Sequence, residues 1–244
     1  MNTTTTNEQE KLGNLVINML SSASENGLKY VYLRNYEQLP KSIGNDVDLL
    51  VYPKERKKWI KFIKHFIENT SLKLKSIEPY SCTSIFLEDT NTNEILHIDL
   101  FPYIEYHFLI FGSTKAVIEN SNFNGTVYIP AICDELYINI MTRLIYHGII
   151  REKHRIQWSN NIGKISEATI KTSFNNHFGA DISKEVINPA LDYQWNIVEG
   201  NKNILRKKLY ASALIHYPFT TLKRFLALFA RAVYKKILKR GNNK

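Results

Sequence analysis

The sequence predicts an α+β protein, with a mixed sheet carrying helices through about residue 130 and an all-helical part after it. Three observations predict this. The first hundred residues read as helix, strand, strand, helix and then several strands, an order that does not suit a doubly wound parallel sheet. From Pro130 the apolar period becomes helical and stays so. A chain of 244 residues with 44% hydrophobic and 12% aromatic content can bury a proper core, in one domain or two small ones. On this reading residues 1–130 form the mixed-sheet domain, 131–217 a helical domain and 218–244 a basic amphipathic C-terminal helix.

The elements follow in order. Asn7 to Asn26 is an amphipathic helix, because Leu12, Leu15, Val16, Met19 and Leu20 recur at helical spacing and Gly27 supplies a stop. Tyr30–Leu33 is the first strand. Residues 34–45, with Pro40 and Gly44, connect it to a strand at 46–51. Pro53 opens a helix to about Asn69, a position where proline costs no hydrogen bond; its buried stripe is Trp59, Ile60, Ile63, Phe66 and Ile67. The basic residues on its other side read as a solvated face. Residues 72–79 and 83–88 are two more strands, Asp89–Asn93 is a turn, and a strand at 95–101 follows. Lys115–Glu119 and Thr126–Ile129 are expected to pair as a hairpin around Asn124-Gly125. Asp134–His147 is an apolar helix, and helices are expected at 164–177, 181–199 and 201–216, with breaks near Gly163, Gly179 and Gly200.

The chemistry concentrates in Gly44-Asn45-Asp46-Val47-Asp48-Leu49-Leu50-Val51. In a strand, residues two apart face the same way, so Asp46 and Asp48 share one side while Val47, Leu49 and Val51 point into the core. Two adjacent carboxylates cost energy unless something positive lies between them. A divalent metal is the usual answer, and carboxylate oxygens suit Mg2+ or Mn2+. An Asp-x-Asp pair alone is equally ordinary as solvated loop chemistry. A second segment, Ile95-Leu96-His97-Ile98-Asp99-Leu100-Phe101, places a third carboxylate amid a buried pattern, where a lone charge is expensive. His97 shares the face of Asp99, and either orients that carboxylate or is a satisfied core histidine.

Over residues 25–102 this pattern resembles the nucleotidyltransferase-fold superfamily, which includes polymerase-β-like and antibiotic nucleotidyltransferases. That family has a strand ending in a small turn, Asp-x-Asp on the next strand and a third acidic residue on a later one; Tyr30–Leu33, Asp46 with Asp48, and Asp99 match it. The resemblance implies transfer of a nucleotidyl group from a nucleoside triphosphate to a hydroxyl acceptor. It also implies Mg2+ (or Mn2+) held by catalytic Asp46, Asp48 and Asp99, with Asp99 accepting the acceptor's proton. The sequence departs from the family where Gly-Ser usually follows the first strand, since Arg34-Asn35-Tyr36 stands there. Either Arg34, with Asn35, contacts the donor phosphate, or the donor is a CDP-linked group. The LicD and fukutin-like branch, similar in fold, moves phosphocholine or phospho-ribitol from such donors onto glycans, whose surface-polysaccharide intermediates are lipid-linked. A degraded fold that only binds a partner is the third alternative, and three retained charges argue against it.

The helical half adds a polar stripe. Asn139, Arg143 and His147 fall at i, i+4 and i+8, and Arg151-Glu152-Lys153-His154-Arg155 follows as a charged loop. Arg143, His147 and Lys153 are therefore candidate substrate contacts, the bland alternative being an ordinary surface. The net charge of +9 is uneven, because residues 200–244 hold 12 of the 32 basic and none of the 23 acidic side chains. In residues 219–240, Phe219, Leu222, Phe225, Leu226, Phe229, Val233 and Ile237 form an apolar face, while Lys223, Arg224, Arg231, Lys235, Lys236, Lys239 and Arg240 occupy the rest. That composition suits an anionic membrane surface, or a helix packed on its own domain. Aromatics do not interleave with the basic residues as stacking platforms would, which argues against nucleic acid. Neither a secretory signal nor a spanning segment is apparent, so the expected location is cytoplasmic or peripheral on the inner face of the membrane. Cys82 and Cys133 read as buried thiols outside any disulfide or zinc spacing. Trp158 and Trp195 read as core.

Overall fold

The computed structural model describes residues 3–79 and 81–241, with side chains placed for 9–79 and 81–230. It falls into two compact units. One runs through Tyr103 and takes in Thr114–Glu135; the other comprises Ile104–Ser113 and the residues from Leu136 onward.

The first unit is built on a five-stranded sheet of order β1-β2-β5-β4-β3. Its strands are β1 (Tyr30–Tyr32), β2 (Val47–Val51), β3 (Leu72–Pro79), β4 (Thr83–Asp89) and β5 (Ile95–Phe101). β2 and β5 run parallel and the other neighbours antiparallel, so the sheet is mixed and the α+β expectation is met. A parallel neighbour needs a crossover; here α2 (Arg56–Ile67), β3 and β4 supply it between β2 and β5.

Alternation decides which side of the sheet is core. Val47, Leu49 and Val51, Leu96, Ile98 and Leu100, and Ile85 and Leu87 join one buried cluster. With them are Leu12, Val16, Met19 and Leu20 of α1 (Thr3–Glu25) and Trp59, Ile63 and Ile67 of α2. Each such side chain contributes roughly 1.5–3 kcal/mol by leaving water. Ile60 and Phe66, expected in the α2 stripe, pack at its edge half-buried. The intervening residues, Asp48, His97, Asp99, Ser84 and Phe86, therefore face the other way. Asp89 closes the β4–β5 turn by accepting the Asn91 N–H at 2.9 Å, and the hairpin register pairs Ser84 with Asp99 and Phe86 with His97.

The Asn124-Gly125 turn is present, but the hairpin it closes is short. β8 (Asn122–Phe123) pairs with β9 (Tyr128–Ile129). Lys115–Glu119, expected as a strand, instead belongs to the helix α3 (Thr114–Glu119). Its buried residues, Thr114, Val117 and Ile118, recur at i, i+3 and i+4, a helical spacing that outweighs the β-branched content of five residues.

The second unit is helical apart from a hairpin of β6 (Ile104–Tyr106) and β7 (Leu109–Gly112) that the sequence did not signal. Its turn uses His107 in the left-handed region (φ 55°) rather than Asn-Gly, so the usual turn residues are missing. α4 (Ile132–Tyr146) crosses from the first unit into the second, and α5 (Glu152–Ile162) starts within the basic cluster expected as a loop. Residues 181–199 are not one helix. A π-helical turn at Ser183–Ile187, α7 (Asn188–Leu191) and α8 (Trp195–Gly200) replace it, because Pro189 lacks an N–H to donate and Tyr193 takes φ 57°. α6 (Glu167–Phe178) and α9 (Lys202–His216) lie close to their expected spans, and Trp158 and Trp195 are core. α10 (Pro218–Gly241) completes the unit.

His154 on α5 is buried, and its pKa is lowered from 6.5 to about 4, first by burial and then by the neighbouring charges of Lys153, Arg143 and Arg151. A folded-state value below the unfolded one means that only the unfolded chain takes up this proton between those limits. Stability contributed by neutral His154 is thus complete above about 6.5 and falls as the pH drops toward about 4. Wild-type protein should lose more melting temperature between pH 7 and pH 5 than His154→Gln. Equal losses in calorimetry would place the acid sensitivity elsewhere.

Candidate metal and phosphate site

The sheet face opposite that core cluster carries a two-by-two arrangement of polar side chains. Asp48 and Asp99 are lateral partners on the parallel strands β2 and β5, and Asp46 and His97 lie one step earlier on the same face. Asp46 stands one residue before β2, where the chain leaves the preceding turn at Gly44 (φ 69°). Asp48 is 1% exposed and Asp99 8% exposed, whereas Asp46 and His97 are half-buried.

Arg34, just after β1, bridges the acidic pair. Its Nη2 donates to Asp46 Oδ2 at 3.0 Å and its Nε donates to Asp48 Oδ2. The positive group expected between the two carboxylates is thus supplied by the protein itself. Arg34 keeps about half of its side chain in solvent, with 51% exposed, so it is held by charge rather than by packing. The other oxygen of Asp48, Oδ1, is buried without a hydrogen-bond partner among the described residues. An unpartnered carboxylate oxygen inside a protein is costly and calls for a cation or a donor.

Asp99 is anchored from two sides. Ser84 Oγ donates to its Oδ1 at 2.5 Å, and His97 Nε2 lies 3.0 Å from the same oxygen. The His97 ring stacks on Phe86 with centroids 4.3 Å apart and planes 13° from parallel. His97 therefore sits at the site in contact with Asp99 rather than as a core histidine. Cys82 is half-buried rather than fully buried, as is Cys133. Its sulfur lies 3.7 Å from Asp99 Oδ1, and burial pushes its thiol above the ordinary range. Ser84 and Phe86 had gone unnoticed in the sequence, and Cys82 had been read only as a buried thiol. The Asp89–Asn93 turn was the signal that would have found them, because it fixes which β4 residues lie opposite His97 and Asp99.

This donor set fits a divalent cation. One ligand atom each from Asp46, His97 and Asp99 lies within 4.8 Å of the others; Asp48, outside that group of three, has an unpartnered oxygen on the same sheet face. Asn35 takes a left-handed conformation (φ 65°), and its amide lies against Gly44, where a Cβ would fall 2.9 Å from Asn35 Nδ2. The Arg34-Asn35 turn and the turn before Asp46 are thereby fitted to one another.

The remaining candidates belong to the second unit. Arg143 is half-buried on α4 and contributes to the positive surroundings of His154. His147 is exposed at the end of α4, where its carbonyl accepts from Lys202 Nζ at 3.2 Å. Lys153 is exposed in the first turn of α5. Asn139 donates to Gln157 Oε1 at 2.9 Å, joining α4 to α5. Arg155 is structural: it donates to the Ile150 carbonyl at 3.1 Å and to Glu199 at 2.7 Å.

No protein-family model and no curated protein matches the chain. Among solved structures, an H. pylori protein provisionally named a nucleotidyltransferase aligns over 85% of this chain and 97% of its own, at 10% identity and a TM-score of 0.36. JHP933 from Helicobacter pylori aligns over 86% and 95%, at 10% identity and a TM-score of 0.35. Likeness at that level carries no argument, so the functional reading rests on the side chains.

Proposed function

We propose that the chain is a divalent-metal-dependent transferase that moves a nucleotidyl group from a nucleoside triphosphate to a hydroxyl acceptor. The observation that carries the reading is the convergence of Asp46, His97 and Asp99, with buried Asp48 in the same strand pair, on the sheet face opposite the α1–α2 core cluster. Bound there, Mg2+ or Mn2+ would stabilise negative charge developing on phosphate oxygens. In the transfer, the acceptor oxygen forms a bond to the α-phosphorus, the bond to the β-phosphate breaks, and pyrophosphate leaves. Asp99, already an acceptor of hydrogen bonds, takes the proton lost by the acceptor. Arg34 is exposed enough to exchange its carboxylate partners for donor phosphate. Asn35 beside it, and Arg143, His147 and Lys153 in the second unit, are the further substrate contacts of this proposal.

Incubation with Mg2+ or Mn2+ and each nucleoside triphosphate, followed by mass spectrometry, tests the reading. Pyrophosphate and a nucleotidylated product are expected. Turnover of a CDP-linked donor alone would replace it with transfer of a phospho-group onto a glycan or lipid-linked acceptor. The Arg34-Asn35 turn, which offers a guanidinium rather than a row of small residues, favours that second reading. No turnover together with no metal binding would leave a binding module.

For location, we propose peripheral attachment to an anionic membrane through α10. The helix is seated on its own unit by buried Thr221 and by Phe225, whose ring lies 5.4 Å from that of Phe108. Other apolar residues among its described ones are uncovered, Phe219 at 86%, Leu226 at 54% and Phe229 at 61% exposure. Lys223 lies exposed among them. The side chains of Val233, Ile237, Arg231, Lys235, Lys236, Lys239 and Arg240 lie outside the described residues. No helix among the described residues is long and apolar enough to cross a membrane. Wild type should float with phosphatidylglycerol vesicles and the double variant Phe219→Glu, Phe229→Glu should stay behind. Flotation that is indifferent to both residues and to salt would refute the attachment.

A further inference from the structure

We propose that His97 is a direct metal ligand, and that the site is consequently selective for a first-row transition ion such as Mn2+ over Mg2+. This inference rests on the metal-dependent reading above and narrows it. A site of carboxylates alone would leave Mg2+ the natural occupant, because Mg2+ prefers oxygen ligands and keeps most of its water. Replacing one oxygen by an imidazole nitrogen shifts the preference, since nitrogen donors favour transition ions over hard alkaline-earth ions.

Four observations put the nitrogen in the ligand set. His97 contributes one of three ligand atoms that all lie within 4.8 Å of one another, with Asp46 and Asp99. Its ring is fixed by stacking on Phe86, so the nitrogen is held at the site at little further entropic cost. Independently, Asp48 Oδ1 is buried on the same face without a partner among the described residues. That oxygen marks the face as one suited to a cation rather than as a finished hydrogen-bond network. The 3.0 Å contact between His97 Nε2 and Asp99 Oδ1 is short enough for an ion to draw both atoms into its coordination shell.

The test is pulsed electron paramagnetic resonance on full-length protein loaded with Mn2+, read alongside calorimetric titration with Mn2+ and with Mg2+. Nitrogen-14 modulation from a coordinated imidazole is expected in wild type and lost in His97→Gln, which keeps a polar group beside Asp99 without the ring nitrogen. Calorimetry should show Mn2+ affinity falling about tenfold or more in His97→Gln while Mg2+ affinity changes much less. Bound Mn2+ without nitrogen modulation in wild type would overturn the inference and leave His97 a positioning residue, with the metal-dependent reading intact. No binding of either ion would overturn both. The wild-type spectrum decides the point even if His97→Gln fails to fold.

Discussion

Asp99→Asn should abolish Mn2+ binding and lower transferase turnover by about 10^3-fold, yet leave the protein at least as stable as its parent. Asparagine has nearly the shape of aspartate and still offers an oxygen to Ser84 Oγ, which lies 2.5 Å from Asp99 Oδ1. What is lost is charge. Asp46, Asp48 and Asp99 share one face of two adjacent strands and are offset by Arg34 on the side of β2 only. Neutralising Asp99 therefore removes repulsion from an 8%-exposed position. It also leaves Asp46 and His97 with a neutral amide as third donor. Calorimetry with and without Mn2+ separates the two consequences. The parent's melting temperature should rise with the ion and the variant's should not. A variant that melts well below its parent would instead show that Asp99 holds the sheet together, and one still stabilised by Mn2+ would move the ion elsewhere.

Much of this site was legible because period-two alternation separates the aliphatic face of these strands from the face that carries the carboxylates. Val47-Asp48-Leu49 and Leu96-His97-Ile98-Asp99-Leu100 assign each side chain to a face without reference to any other strand. What alternation cannot give is lateral order. That Asp48 stands beside Asp99 depends on β2 and β5 being parallel neighbours, although two other strands separate them in sequence. The role of Arg34 depends on β1 returning antiparallel to β2 at a distance of fourteen residues. Local propensity failed where elements were short. Thr114–Glu119 has a strand-like composition, but its burial repeats at helical spacing, and the β6–β7 turn relies on His107 in the left-handed region, where residues other than glycine are uncommon. The basic cluster after Gly148 suggested one shared role, whereas Arg155 anchors Glu199 and the Ile150 carbonyl while Lys153 stays exposed.

Arg34→Ala should destabilise the metal-free protein by about 1–3 kcal/mol, and Mn2+ should restore more stability to this variant than it adds to wild type. Asp48 is almost wholly buried, and among the described residues its carboxylate is hydrogen-bonded by the Arg34 guanidinium, which also holds Asp46. Removing that group strands a buried carboxylate. The half-exposed arginine keeps the loss below the full cost of breaking a buried ion pair, since water can approach from its side. A divalent ion at Asp46, His97 and Asp99 then supplies the positive charge the arginine gave, so the ion-induced rise in melting temperature grows. Donor binding should move the opposite way, weakening because the guanidinium that meets phosphate is gone. Stability and donor affinity are thus expected to separate in one variant. Equal Mn2+-induced shifts in wild type and Arg34→Ala would mean that the ion and the arginine do not act on the same carboxylates, and the account of Arg34 as an internal cation exchanged on substrate binding would fail.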